Sequence, residues 1–420
     1  MKIELKNIGI FKEASVDVCG ITVIAGENAS GKSTVGKALY SVFHALSSYD
    51  KKINEKRISN LLNLLGKLPI KNIFYLRDMP IELFDEFFQS ILTDSEKYIN
   101  DVDLLKEKLI EFFEIRDDDS IALDIVDEIT PNMVESLKLT DEEILRSLVN
   151  ASFNMEFNSE INNRFNNEPG SVDLYINDKK IGVSIVDDNI TSIENPIKLI
   201  KDIVYIDDPY VLDDLNIRRS GYSKSPLNNN HRDDLIYKLE KTNEDTLEGI
   251  KVNNKLSEVF EKLDGIKLGN LITTGKVYKY NDPVKKIDLD IRNIATGLKT
   301  FVIIKTLLDN GTLVDKGTII LDEPEIHLHP KWQIVLAELI VLLQKTFNMH
   351  ILLNTHSPYF LRAIDVFSEK HGIKDKTKYY LASKTNTSST IEDVTDDIEK
   401  IYKLLADAFD DIDQVIEDED

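Results

Sequence analysis

Gly26-Glu27-Asn28-Ala29-Ser30-Gly31-Lys32-Ser33 matches the pattern GxxxxGK[ST] at every fixed position. The glycines let the backbone curl so that successive N–H groups face phosphate oxygens. A helix opening at Lys32 adds the positive potential of its N-terminus. Gly26, Asn28, Ala29, Ser30, Gly31, Lys32, Ser33 and Thr34 therefore form a candidate cradle for the phosphates of ATP. Lys32 is placed to reach the β- and γ-phosphates, and Ser33 to ligate Mg²⁺.

Three further groups carry chemistry. Thr318-Ile-Ile-Leu-Asp322-Glu323 is an apolar run ending in two carboxylates. Asp322 suits a Mg²⁺ ligand beside Ser33, and Glu323 a general base that polarises attacking water. Leu352-Leu353-Asn354-Thr355-His356-Ser357 is a second apolar run, ending at a histidine that could sense the γ-phosphate and orient water. Thr296 and Gly297, in Asn293-Ile-Ala-Thr-Gly-Leu-Lys299, read as a second anion-binding helix start. His327 and His329 form a His-x-His pair with no evident third ligand, so they read as packing and hydrogen-bonding residues. Trp332 reads as core or interface.

The elements that position these groups follow from periodicity. Residues 2–10 and 14–19 alternate as strands, 21–25 read as a buried strand, and 32–47 as a helix. Residues 51–165 predict several amphipathic helices broken near Pro69, Pro80 and Pro131, without the sustained heptads of a coiled-coil arm. Residues 171–176 and 181–186 alternate about Asn177-Asp178, a hairpin signal. Residues 203–206 read as a core strand, 218–233 as a loop, 234–264 as helical and 276–291 as a strand pair. Helices at 298–309, 330–346 and 358–366 then alternate with strands at 318–321 and 350–353. The domain reading is an N-terminal head segment over 1–50, an insertion over 51–195 (helical to 165, hairpin from 166), the rest of the head over 196–390 and an acidic tail over 391–420.

Composition excludes several classes. The chain has 420 residues, with 51 basic and 74 acidic side chains and a net charge of −23. Such a balance argues against coating DNA through the overall field, which needs clustered Lys and Arg. Residues 391–420 hold thirteen acidic and two basic side chains and read as a solvated tail; Asp410, Asp411 and Asp413 within it do not read as a metal site. The single cysteine, Cys19, excludes a disulfide framework and reads as a small buried hydrophobe. No apolar stretch is long enough to span a membrane and no leader is evident, so a cytoplasmic protein without membrane contact is expected.

The order of motifs closely resembles the ABC-type ATPases of the SMC, RecF and OLD group. Within it, the chain is similar to the stand-alone ATPases of bacterial anti-phage systems, such as the AriA subunit of PARIS and the PtuA subunit of Septu. The residues that carry the likeness are the P-loop, Ala-Thr-Gly-Leu-Lys, Ile-Ile-Leu-Asp-Glu-Pro-Glu-Ile-His-Leu-His-Pro and Asn-Thr-His-Ser-Pro. The resemblance implies an α/β fold, an ABC-type P-loop head with a mixed sheet and flanking helices, carrying a helical and β-hairpin insertion. It implies ATP hydrolysis with Mg²⁺ in a homodimer or higher even-numbered oligomer, where Thr296 and Gly297 act in trans on ATP held by Lys32 and Ser33. The signature reads Ala-Thr-Gly where the family has Ser-Ser-Gly or Ser-Gly-Gly. Neither Gln89 nor Asp207-Asp208 is a clear Q-loop. The functional expectation is a defence-system sensor or scaffold that controls a separate effector chain, a nuclease or toxin. The alternative is a RecF- or SMC-like repair ATPase that clamps duplex DNA, with Lys51-Lys52, Lys56-Arg57 and Arg218-Arg219 as its candidate cations.

Overall fold

The structure is a computed structural model that describes residues 1–65, 81–116, 118–166, 168–216, 229–241, 259, 268–275, 277–385 and 387–405. It divides into two units, Met1–Ser47 with Val149–Asp420, and Ser48–Leu148.

The first unit is built on an eleven-stranded mixed sheet flanked by helices. Its strands in chain order are β1 (Lys2–Ile8), β2 (Phe11–Asp17), β3 (Ile21–Gly26), β4 (Gly170–Ile176), β5 (Lys179–Val186), β6 (Asn189–Glu194), β7 (Ile203–Ile206), β11 (Thr318–Asp322), β12 (His350–Thr355), β13 (Thr377–Lys384) and β14 (Ser389–Asp393). Across the sheet they run β6-β5-β4-β1-β2-β14-β13-β3-β12-β11-β7. The β13–β3–β12–β11–β7 half is parallel. Strands covered on both faces need continuous apolar runs, and Ile21–Gly26, Ile203–Ile206 and Thr318–Asp322 are buried at every position. Their registers align Ala25 with Thr355, Asn354 with Asp322, and Leu321 with Ile206. All four strand ends therefore reach one edge together. Helix α1 (Lys32–Leu46) leaves that edge straight from β3.

A small antiparallel sheet, β8 (Asn270–Thr274), β9 (Val277–Asp282) and β10 (Ile287–Asp290), adds one strand to the expected pair. It sends Tyr278 and Tyr280 into the main core.

The second unit holds α2 (Tyr49–Leu65), α3 (Ile81–Thr93), α4 (Ser95–Asn100), α5 (Val102–Phe112), α6 (Ser120–Lys138) and the first half of α7 (Asp141–Phe157). Their apolar stripes meet in a core of their own around Leu61, Phe88, Leu105, Leu109, Val126, Ile129 and Met133.

Several expectations need correction. The insertion over 51–195 is not one body. Residues 48–148 separate, while the hairpin gains a third strand, β6, and joins the main sheet through β4 beside β1. A single hairpin has no face to bury, and β1 offers an edge that supplies one. Pro131 does not break the helix; it lies inside α6. Its missing N–H costs one backbone bond, while Thr130 Oγ1 donates to Val126 O (2.6 Å) and Asn132 Nδ2 to Glu128 O (3.0 Å). The expected tail begins inside the fold, since β14 reaches Asp393 and Val394 and Ile401 are buried. Cys19 is exposed in the turn between β2 and β3. Pro69, Pro80, Arg218-Arg219, Asp410, Asp411, Asp413, most of the 218–233 loop and most of the 234–264 helix lie outside the described residues.

Beneath the parallel half lies a buried ionic network. In α9 (His231–Leu239), Lys238 Nζ meets Asp234 (2.6 Å), Asp202 (2.8 Å) and Ile203 O (2.6 Å), and Tyr40 of α1 donates to Asp234 (3.0 Å). His231 sits between Glu156 (2.7 Å) and Asp207 (3.0 Å). Burial alone would lower the His231 pKa, but its bonds to Asp207 and Glu156 outweigh that and hold it at about 9. Lys238→Met would take the buried cation away from buried Asp234 and half-buried Asp202 and should cost about 3–5 kcal/mol in urea unfolding. An unchanged midpoint would contradict this account. Because the His231 pKa is raised on folding, its contribution is complete below the ordinary value near 6.5 and is lost as pH rises through about 9. His231→Gln should remove that alkaline fall in stability, measured as melting temperature against pH.

Candidate functional site

The P-loop turns with Ala29 at φ 60° and Gly31 at φ 91°. At Gly31 a side chain would be strained, and its Cβ would stand 2.6 Å from the Phe11 ring, so only glycine fits. Gly31 caps α1 without a side-chain hydrogen bond, and the first turn holds no acidic residue. The helix end thus keeps its positive potential and unpaired N–H donors for an anion. Lys32 Nζ donates to Gly26 O (3.2 Å) and Glu27 O (2.9 Å), and stands 3.5 Å from His356 Nδ1. Burial lowers its pKa, against the pull of Glu323, Asp322 and Glu325. Asn28 and Ala29 are exposed at the loop tip, Ser30 is buried with an unpartnered hydroxyl, and Ser33 and Thr34 are half-buried.

β11 and β12 deliver the carboxylates and the histidine. Asp322 closes β11, and both of its oxygens are engaged. Tyr205 OH donates to Oδ2 (2.8 Å) and Asn354 Nδ2 to Oδ1 (2.9 Å). Glu323 follows at φ 51°, its N–H bonded to Asn354 O (3.0 Å), and its Oε1 lies 2.6 Å from His356 Nε2. That bond holds the Glu323 carboxyl below its usual range, against the opposing effect of burial. His356 thus stands between Lys32 and Glu323. Glu325 is buried, and burial raises its pKa. Its Oε1 accepts from Thr355 Oγ1 and from the His356 N–H (3.2 Å), which fixes the turn carrying the histidine.

A family model described as an AAA ATPase domain matches residues 1–361. The chain belongs to that family. No curated relative matches the sequence. Solved structures similar to this AAA ATPase include the SMC head domain from Thermotoga maritima, at 12% identity and TM-score 0.39, covering 94% of this chain and 98% of that one. A second is the SmcHead bound to the C-winged helix domain of ScpA, at 12% and 0.42, covering 93% and 97%. A third, derived from Pyrococcus furiosus, is an Smc head domain with an extended coiled coil bound to the C-terminal domain of ScpA, at 12% and 0.29, covering 97% and 98%.

The geometry of the AAA ATPase brings Lys32, Glu323 and His356 together and places Asp322 beside them. The signature pair stands elsewhere. Thr296 opens α10 (Thr296–Asp309) as its first helical residue, and Ala295, not Thr296, is the cap. Thr296 Oγ1 lies 3.3 Å from Tyr210 OH, just after β7. β7 is three strands from β3, a separation of about 14 Å at ordinary strand spacing. Gly297 packs under Leu328, and Lys299 pairs with Asp213 (2.6 Å) beneath the Tyr210 ring. His327 is exposed and meets that ring edge-on (5.6 Å); exposed His329 caps α11 (Pro330–Phe347) through a bond from Lys331 N (3.3 Å). Trp332 is half-buried against Phe301. Gln89 is exposed in α3, and Asp207 is committed to His231 and Arg232. Lys51 pairs with Glu55 and Arg57 with Asp141, so these cations are already engaged by acids.

Sequence reasoning missed Tyr205, Asn354 and Glu325. The signal was there, in a tyrosine within Ile-Val-Tyr-Ile and an asparagine within Leu-Leu-Asn-Thr, polar groups in strands too buried to leave them without partners.

His356→Ala should release Glu323 toward the ordinary carboxylate range. Since the paired carboxylate is present only above its depressed pKa, the acid limb of ATP turnover should move to higher pH. An unmoved limb in kcat against pH would separate Glu323 from that ionisation.

Proposed function

We propose that this chain hydrolyses ATP to ADP and phosphate at a site that a second copy completes. The observation that carries this is the Lys32–His356–Glu323 line opposite an open helix N-terminus, with Thr296 and Gly297 held against Tyr210 and Leu328. The donor set fits Mg-ATP. α1 offers uncapped N–H groups, and Ser33 and Asp322 offer a hydroxyl and a carboxylate. Bound there, Mg²⁺ supplies charge neutralisation at the phosphates.

The chain's own groups do the rest. Backbone N–H groups of residues 26–33 and Lys32 hold the phosphates. Glu323 takes the proton of the attacking water, and His356 orients that water and the terminal phosphate. Thr296 bonds Tyr210 and Gly297 packs under Leu328, and on the resemblance of the motifs we take the pair to act on the partner's nucleotide in a twofold assembly. On the resemblance of its motifs, we extend the proposal to a cytoplasmic sensor or scaffold of an anti-phage system that controls a separate nuclease or toxin chain. A native pull-down that recovers no second chain would count against that extension. No described helix is long and apolar enough to cross a membrane.

Glu323→Gln should bind ATP normally and lose about 10²–10⁴-fold in turnover, the usual worth of a general base. Lys32→Ala should lose tight nucleotide binding. Normal turnover by Glu323→Gln would reassign the base. The composite site is tested by mixing Lys32→Ala with Gly297→Glu, each inactive alone. An equimolar mixture should recover about a quarter of wild-type turnover, the statistical yield of one intact site in half of the twofold pairs. A mixture as inactive as its components would exclude the exchange of signatures.

A further inference from the structure

We infer that Tyr205 is the positioning residue for the metal-binding carboxylate of this site, an inference that rests on the ATPase reading above. Tyr205 sits in β7 opposite Ile320, two residues short of Asp322 on β11. Side chains two apart on a strand share a face, so the phenol lies along the sheet toward Asp322 and its hydroxyl reaches Oδ2 at 2.8 Å. Asn354, opposite Asp322 on β12, holds Oδ1 at 2.9 Å. The carboxylate is thus clamped from both flanking strands, with one lone pair on each oxygen left for a ligand.

The clamp is itself immobilised. The Tyr205 ring stacks on His231 (centroids 4.4 Å, 23° between planes) and meets Tyr40 edge-on at 6.0 Å. Tyr205 is fully buried, so its hydroxyl has no solvent partner to compete with Asp322. Helix α1 closes over it at Gly36, where a Cβ would stand 3.2 Å from both the Tyr205 hydroxyl and Ile320 Cγ2. Gly36 is one turn after Ser33 on the same helix face. The face that rests on Tyr205 and Ile320 is the one that carries Ser33, so Tyr205 lies between the helix of one proposed metal ligand and the strand of the other. Outer partners of this kind orient a ligand and are worth about 10–100-fold in metal affinity.

Tyr205→Phe keeps the ring and its stack and removes only the donor. Two readouts that do not depend on turnover test it. The affinity for a fluorescent N-methylanthraniloyl-ADP is measured in Mg²⁺ and in EDTA, and Mn²⁺ affinity is measured by electron paramagnetic resonance in the presence of ADP. The inference expects an unchanged EDTA affinity, a smaller gain from Mg²⁺ and Mn²⁺ binding weakened by about tenfold or more. If wild type gains from Mg²⁺ and Tyr205→Phe gains equally, Tyr205 is only packing and the inference is overturned. If wild type itself shows no effect of Mg²⁺, the ATPase reading of the site fails instead. Should Tyr205→Phe not fold, Tyr205→Leu takes its place as a buried apolar side chain without the donor; the same selective loss of metal affinity is expected, and an undiminished Mg²⁺ gain would equally overturn the inference.

Discussion

The candidate site depends on one constraint, the parallel registration of β3, β12, β11 and β7. Because these strands end level, the P-loop, Asp322, His356 and Asp207 emerge at one edge, although more than 300 residues separate Lys32 from His356. Parallel strands need crossovers and cover on both faces. That requirement accounts for the apolar runs before each motif and for helices between them. The chemistry sits where the apolar runs stop, the first place along each strand where a polar side chain can reach solvent or ligand.

Electrostatics in the first unit are organised in two layers. At the edge, Lys32 rests on two carbonyls and next to His356, which is paired with Glu323, so the cation and base of the proposed reaction already share an intermediary. Below it, Lys238, His231 and Arg232 answer Asp202, Asp234, Glu156 and Asp207. His44, Asp202 and Asp234 lie close enough to hold a metal ion, but Lys238 Nζ already reaches both carboxylates. Tyr205 touches both layers, through its hydroxyl to Asp322 and its ring to His231. Buried polar groups of this density persist only when each finds partners, so the network also pins α1, α9 and β7 in one arrangement.

The local sequence determined the P-loop, its strand and helix, the acidic end of β11, the histidine end of β12 and the helical character of the second unit, because turn chemistry and hydrophobic period are short-range signals. It also carried the family. Only the tertiary structure decided that the hairpin at 170–186 extends the main sheet, that Pro131 stays helical, that Val394 and Ile401 belong to the core, and that Cys19 faces solvent. These depend on which edge or cavity is open elsewhere in the chain. The partners of Asp322 belong to the same class. Tyr205 and Asn354 come from strands that are neighbours only through crossovers, and no spacing within the chain encodes that adjacency.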